Sequence, residues 1–168
     1  MKSFQEQPEQ TPPAKAFTGQ TAPTMVHIDA GAEGLLRQDA AEAYPEEACG
    51  FLFGRTDAQQ VIIEEAMMVR NQAGENRERR FSIRPEDYRA AERYADLNGL
   101  DLVGIYHSHP DHPAEPSEHD RRQALPGLSY FIVSVRRGRP KELRSWTLNA
   151  ARLFDEESFR TVATAVAN

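Results

Sequence analysis

The chain has 168 residues, enough for one domain with a core of its own, and its balance of 39% hydrophobic against 27% charged residues fits a soluble globular protein. A formal net charge of −6 and an isoelectric point near 5.4 argue against nucleic acid as a partner, because that affinity comes largely from neutralising phosphates. The longest apolar run is far short of the roughly 20 residues that a bilayer span needs, so no membrane partner is expected either. Cys49 is the one cysteine, which excludes an intramolecular disulfide, and Met1 to Pro8 lacks the apolar core of a secretory signal; the expected location is the cytoplasm.

Residues 1–24 are mostly Gln, Glu, Pro, Thr, Ala and Lys without apolar periodicity, and read as a disordered tail ahead of a folded domain over 25–168. Val26-His27-Ile28 reads as a short strand. Leu35, Leu36, Ala40 and Ala43 then mark the apolar stripe of a helix over 30–44, stopped by Pro45. Ala48 to Gly54 reads as a buried strand bounded by glycine, with 60–69 as its hairpin partner across 55–58. Asn71 to Arg80 is polar, carries a glycine, and reads as an exposed loop open to substrate.

Arg84-Pro85 opens a second helix, in which Tyr88, Ala91, Tyr94 and Ala95 keep helical spacing until Gly99 supplies a stop. Leu100 to His109 follows as a strand, 117–125 as a short helix, and 130–135 and 142–148 as strands joined through Arg137-Gly138-Arg139-Pro140. The spacing over 154–166 predicts a terminal helix. Two basic runs, Arg77-Glu78-Arg79-Arg80 and Arg136-Arg137-Gly138-Arg139, fit either solvated turns or a groove for a polar partner.

The chemistry concentrates in His107-Ser108-His109 and in Ser117 and Asp120 beyond it. Two imidazoles one residue apart on an extended backbone point to the same side, and a carboxylate from the following loop can complete a three-ligand zinc site with an open fourth position. Each part has a plainer explanation: His-x-His also occurs on solvated surfaces, and Ser117-Glu118-His119-Asp120 can be only a helix cap. The joint arrangement raises the metal reading, with Ser117 as hydrogen-bond donor to a developing oxyanion. His112 and His119 are further ligand candidates, whereas Asp111, Glu115 and Glu118 flank the site and face solvent.

A water activated at such a centre needs a proton acceptor that later donates to the leaving amine. Glu47 precedes the Ala48-Cys49-Gly50 strand, where an adjacent strand can bring it beside His107, and strand alternation turns Glu46 the other way. Cys49 reads as a small buried residue rather than a ligand.

These residues resemble the signature of the JAMM, or MPN-plus, zinc metallopeptidases: a glutamate upstream, then His-x-His, seven residues, and Ser-x-x-Asp. The match runs from Pro45-Glu46-Glu47-Ala48-Cys49-Gly50 through His107-Ser108-His109-Pro110 to Ser117-Glu118-His119-Asp120, and the resemblance covers roughly Val26 to Leu148. It implies an α/β fold of the cytidine-deaminase-like type, a mixed β-sheet flanked by helices. It also implies Zn2+ held by His107, His109 and Asp120, with Glu47 as proton shuttle and Ser117 as transition-state donor. The implied substrate is a ubiquitin-like or sulfur-carrier protein cut after its C-terminal glycines, and backbone pairing, which needs no large pockets, leads to the expectation that the glycine-ended tail docks against a sheet edge. Two alternatives stand beside this: a non-catalytic MPN-type scaffold, and a zinc hydrolase of a small amide or a cell-wall peptide.

Overall fold

A computed structural model describes residues 25–164; the tail expected over 1–24 and the last four residues lie outside the described part. In chain order the elements are β1 (Met25–Asp29), α1 (Ala30–Ala43), β2 (Cys49–Thr56), β3 (Gln60–Val69), α2 (Pro85–Asn98), β4 (Asp101–Pro110), α3 (Glu118–Gln123), β5 (Ser129–Arg136), β6 (Arg139–Leu148), β7 (Phe154–Glu157) and β8 (Phe159–Val162). All eight strands join one mixed sheet in the order β7-β6-β5-β4-β2-β3-β1-β8. The expected α/β architecture of a mixed sheet flanked by helices is the one found. None of the described helices is long and apolar enough to cross a membrane.

Each helix has a local cause. Asp29 caps α1 by accepting from the amides of Gly31 and Ala32, and the buried residues Ala32, Leu36 and Ala40 recur at four-residue spacing along the face that meets the sheet. The stripe is therefore narrower than Leu35, Leu36, Ala40 and Ala43 suggest, with Leu35 and Ala43 only half-buried. Pro85 opens α2, where its missing amide hydrogen costs nothing, and Gly99 closes it with the positive φ of 63° that glycine adopts without strain.

The sheet separates two cores. On the α1 side lie Leu36, Leu52, Tyr106, Phe131 and Val133; on the α2 side lie Cys49, Phe51, Phe53, Ala95 and Ile105. A fully buried phenylalanine such as Phe51 or Phe131 contributes about 2–3 kcal/mol by leaving water. At Gly50 the packing leaves no room for a side chain: an added Cβ would stand 2.3 Å from the Met67 carbonyl oxygen and 2.4 Å from the Tyr106 ring. The missing side chain lets Met67 of β3 and Tyr106 of β4, the strand that carries the two histidines, close over β2 at this point.

One expectation fails. Residues 154–166 form no terminal helix; they make β7, antiparallel to β6 from Leu148↔Phe154, and β8, parallel to β1 from Val26↔Phe159. Their aromatic residues settle the matter, because Phe154 meets Tyr130 edge-on at 5.4 Å and Phe159 meets Phe131 at 5.1 Å. Only Ser158 separates the two strands, so the sheet curls until its opposite edges are joined there, with the Val26 amide donating to the Ser158 carbonyl. The hairpin between β5 and β6 is also tighter than expected: Arg137 and Gly138 alone turn the chain, both with positive φ, as a two-residue connection matching strand twist requires.

Candidate metal centre

Strand register assembles the site. In the antiparallel pair of β2 and β4, Cys49 stands opposite His107, and just beyond it Ser108 ties the strands by accepting the Ala48 amide on its hydroxyl at 2.8 Å while its own amide donates to the Ala48 carbonyl. Continuing that register sets Glu47 beside His109 rather than beside His107. Alternation sends Glu47 inward, where it is 3% exposed, and leaves Glu46 exposed.

His107 and His109 project from the same face of β4, and Asp120 reaches them from the first turn of α3. His107 Nε2 and His109 Nε2 are 3.1 Å apart, with Asp120 Oδ2 at 3.2 Å from the first and 3.3 Å from the second. All three residues are buried and their ligand atoms converge as a metal-binding cluster would. Four tetrahedral ligands about 2.0–2.1 Å from zinc stand about 3.3 Å from one another, so the three atoms already occupy the base of such a polyhedron.

The proton inventory favours a cation there as well. His109 Nδ1 faces the Pro113 carbonyl at 2.8 Å, and a carbonyl can only accept, so Nδ1 carries the hydrogen; Nε2 then meets Asp120 Oδ2 either as the lone pair of the neutral ring or as the second N–H of the charged one. Two acceptors 3.3 Å apart repel unless a proton or a metal ion lies between them. Among the described residues, the only buried side-chain polar atoms without a partner are His107 Nδ1 and Glu47 Oε2, and both belong to this site. Buried polar atoms are nearly always satisfied, so two orphans in one place mark a centre adapted to something besides the chain itself.

The charges are strongly perturbed. Burial pushes the Glu47 carboxyl up to about 8; nearby His109 opposes the rise and Asp120 adds to it. Burial would also raise Asp120, but the two imidazoles and the Ser117 amide outweigh it and hold that carboxyl well below the usual range. Burial lowers His107, whereas for His109 the same burial is overcome by the hydrogen bond and charge of Asp120, with help from Glu47.

Ser117 is the cap of α3 in a reciprocal pair: its hydroxyl oxygen accepts the Asp120 amide at 3.1 Å and its own amide donates to Asp120 Oδ2 at 2.8 Å. The cap thus orients the carboxylate and still leaves the Ser117 hydroxyl hydrogen free to point outward. A cavity of about 320 Å³ opens beside these groups, lined by Glu47, Arg79, His109, His112, Glu115 and Ser117 among others. Arg79 of the loop 71–80 lies on one side of it and the loop 111–117 on the other.

Of the other candidates, His112 is half-buried in the cavity wall and His119 is half-buried, but neither joins the three-atom cluster. Cys49 is fully buried against the Val69 carbonyl with its thiol pushed up to about 12 by burial, which disqualifies it as a ready ligand. Asp111 and Glu118 are exposed and held by protein partners: Asp111 accepts from Tyr44 and the Arg137 amide, and Glu118 pairs with Arg121 and Arg122.

Sequence reasoning missed Asn71 and Phe81. The expected exposed loop in fact begins with a buried amide: Asn71 Nδ2 donates to the carbonyls of Glu47 and Arg80, and its Oδ1 accepts the amides of Ala73 and Ser82. Arg77 adds a carbonyl that accepts the Glu47 amide at 2.7 Å. The loop therefore grips the Glu47 backbone from both sides, standing in for the strand partner that Glu47 lacks. Phe81, at the far end of that loop, stacks on the His107 ring at 4.5 Å and 25°. A polar residue two positions past the end of a strand gave a weak signal for Asn71; nothing in the sequence marked the pairing of Phe81 with His107.

A mixed α/β fold carrying a buried His-His-Asp cluster with a carboxyl alongside defines a candidate metallohydrolase centre. The family model described as prokaryotic homologs of the JAB domain matches residues 29–149, and the chain belongs to that family, which bears out the JAMM/MPN resemblance. Over 99 residues it is 39% identical to a desampylase of Haloferax volcanii, an alignment spanning 58% of this chain and 69% of that one. It is 40% identical over 96 residues to tail tip assembly protein K of Escherichia phage N15, and 32% identical over 107 residues to the Lys-63-specific deubiquitinase BRCC36 of Xenopus laevis. Those alignments span 56% and 60% of this chain but only 35% and 41% of the relatives. A solution structure of a protein from Desulfitobacterium hafniense, 30% identical, superposes with a TM-score of 0.74 over 83% of this chain and 94% of the other.

Proposed function

We propose that this chain is a zinc-dependent peptidase or isopeptidase that cuts after the C-terminal glycines of a ubiquitin-like or sulfur-carrier protein, and that residues 25–168 form a catalytic domain behind a tail over 1–24. The observation that carries this reading is the convergence of His107 Nε2, His109 Nε2 and Asp120 Oδ2 within 3.3 Å of one another, beside a buried Glu47 whose Oε2 has no partner. Relatives named as desampylase and deubiquitinase support the substrate class.

His107, His109 and Asp120 would hold the ion, and two neutral imidazoles with one carboxylate suit zinc. Bound there, zinc supplies Lewis acidity and an ionised water near neutral pH. The chain's own residues do the rest. Glu47 takes the proton of the attacking water and returns it to the leaving amine, and its elevated affinity for protons fits a group that must do both. Ser117, its oxygen fixed by the Asp120 amide, donates its hydroxyl hydrogen to the oxyanion that forms on the scissile carbonyl. The cavity lined by Glu47, Arg79, His109 and Ser117 takes an extended tail of small residues.

The test is to incubate the zinc-loaded protein with several ubiquitin-like proteins carrying C-terminal extensions and to follow their masses. Trimming to the terminal glycine is expected, and Glu47→Ala keeps zinc while losing the reaction; a panel left untrimmed overturns the reading. The alternative, a non-catalytic scaffold, predicts a chain that takes up no zinc and trims nothing.

A further inference from the structure

The loop 111–117 links the strand of the two histidines to Ser117 and Asp120, and the chain grips it residue by residue. It opens at Asp111, whose φ of 55° lies in the left-handed region that residues other than glycine seldom adopt unless their surroundings hold them there. Here the Asp111 carboxylate accepts the Tyr44 hydroxyl at 2.7 Å and the Arg137 amide at 2.9 Å. Past that turn the Pro113 carbonyl meets His109 Nδ1 at 2.8 Å, the Ala114 carbonyl accepts the Trp146 indole N–H at 3.0 Å, and the Glu115 carboxylate pairs with Arg144 at 3.0 Å. Ala114 is the one buried residue of the loop.

Strand register explains why β6 supplies the outer partners. His107 of β4 stands beside Ile132 of β5, which stands beside Arg144 of β6, and the neighbouring row on that face runs Ile105, Tyr130, Trp146. Residues in register on adjacent strands share a face, so Arg144 and Trp146 project on the side of the sheet that carries His107. Arg144 in turn fixes the indole: its guanidinium carbon lies 4.6 Å from the ring centre, and its nitrogens pair with Glu156 at 2.7 and 2.8 Å.

The carbonyls of Pro113 and Ala114 are consecutive along the chain, so they cannot turn independently. Without the indole N–H the buried Ala114 carbonyl has no donor among the described residues, and the segment must rotate to find one. That rotation displaces the Pro113 carbonyl, the acceptor that aims the His109 ring.

We infer that Trp146 is a positioning residue of the metal centre: through the Ala114 carbonyl its indole N–H sets the Pro113 carbonyl, and so holds the His109 ring with Nε2 facing His107 and Asp120. Bonds that support a ligand ring are worth about 10–100-fold in metal affinity, and Trp146 acts one carbonyl removed, so a loss of about 10-fold is expected when its N–H is taken away. The inference rests on the metal centre of the proposed function, but the hold on His109 is read without substrate and with or without an ion.

Trp146 is the only tryptophan of the chain. Biosynthetic replacement of tryptophan by benzothienylalanine, which puts sulfur where the indole carries its N–H, therefore removes this one donor and keeps the shape of the ring. The analogue protein is compared with wild type and with Trp146→Phe as full chains, each shown to be folded by urea unfolding. Heteronuclear NMR of isotopically labelled histidine, with the His109 signal assigned by its loss in His109→Gln, reads the Nδ1 proton. That proton is expected to be protected from exchange with water in wild type, with and without zinc, and to exchange about 10-fold faster or more in the analogue protein. Competition with a chelator is expected to show zinc held about 10-fold less tightly by the analogue protein. An Nδ1 proton as protected in the analogue protein as in wild type overturns the inference, and so does a loss of zinc affinity confined to Trp146→Phe, because the bulk of the ring then does the work. A wild type that takes up no zinc overturns the peptidase reading, and the Nδ1 proton alone then decides whether Trp146 holds His109. Zinc bound without cleavage of any tail counts against the peptidase reading only.

Discussion

Glu47 is a stability liability when no cation is beside it, and replacing it should strengthen the metal-stripped protein while abolishing its chemistry. In the folded chain the carboxyl is pushed up to about 8 from an ordinary value of 4.5. Below pH 4.5 it is protonated in both the folded and unfolded states and contributes no difference. Above that value the unfolded chain releases the proton while the folded chain retains it, so stability falls by ~1.4 kcal/mol per pH unit until the folded group also ionises. The loss is ~3 kcal/mol at pH 7 and ~5 kcal/mol once pH passes 8. Glu47→Gln removes the titration but keeps the shape of the neutral acid, so the metal-stripped variant gains most of that amount at pH 8 and almost nothing at pH 4.5. Part of the gain is offset because His109 loses the support of a nearby carboxylate. Urea unfolding of both proteins in chelator, from pH 4.5 to 8, reads the difference directly. Curves that stay parallel across this range would refute the claim that a buried, unpartnered Glu47 resists ionisation.

Two other substitutions separate placement from folding. Asn71→Ala strips the Glu47 and Arg80 carbonyls of their donor, which should cost about 2–4 kcal/mol by urea unfolding. Turnover at a temperature where the variant is folded should fall about 10-fold or more with zinc content unchanged, because Glu47 loses one of its two backbone anchors. Ser117→Ala removes a helix cap worth about 1 kcal/mol and an oxyanion donor worth about 100-fold in kcat. If Ser117 serves only as a cap, the kcat of the folded variant stays within a factor of two or so.

Much of the fold was legible because the local signals agreed with one another. Pro85 has the fixed φ that suits a helix start and Gly99 takes a left-handed φ without strain, and the structure uses both. The strand from 154 was not legible, since Phe154-Asp155-Glu156-Glu157 and Phe159-Arg160-Thr161-Val162 are short enough to fit helix or strand spacing alike. Their state is decided by Tyr130 and Phe131, more than twenty residues earlier. The same reason hid Asn71 and Phe81. A residue that holds another in place is visible only once distant chain segments meet, whereas His107, His109, Ser117 and Asp120 announce themselves by spacing. Glu47 lies between these cases: alternation gave its inward direction, but its neighbour proved to be His109, because the register between β2 and β4 sets which histidine it faces.

The most direct measurement is the metal content and coordination of the purified protein, by elemental analysis and X-ray absorption, for the wild type and for Asp120→Ala. One zinc per chain, bound by two imidazole nitrogens and oxygen ligands at about 2.0–2.1 Å and largely lost in Asp120→Ala, is the expected result. A wild-type chain that takes up no divalent ion from excess zinc, or whose ion persists unchanged without Asp120, contradicts a centre built from His107, His109 and Asp120.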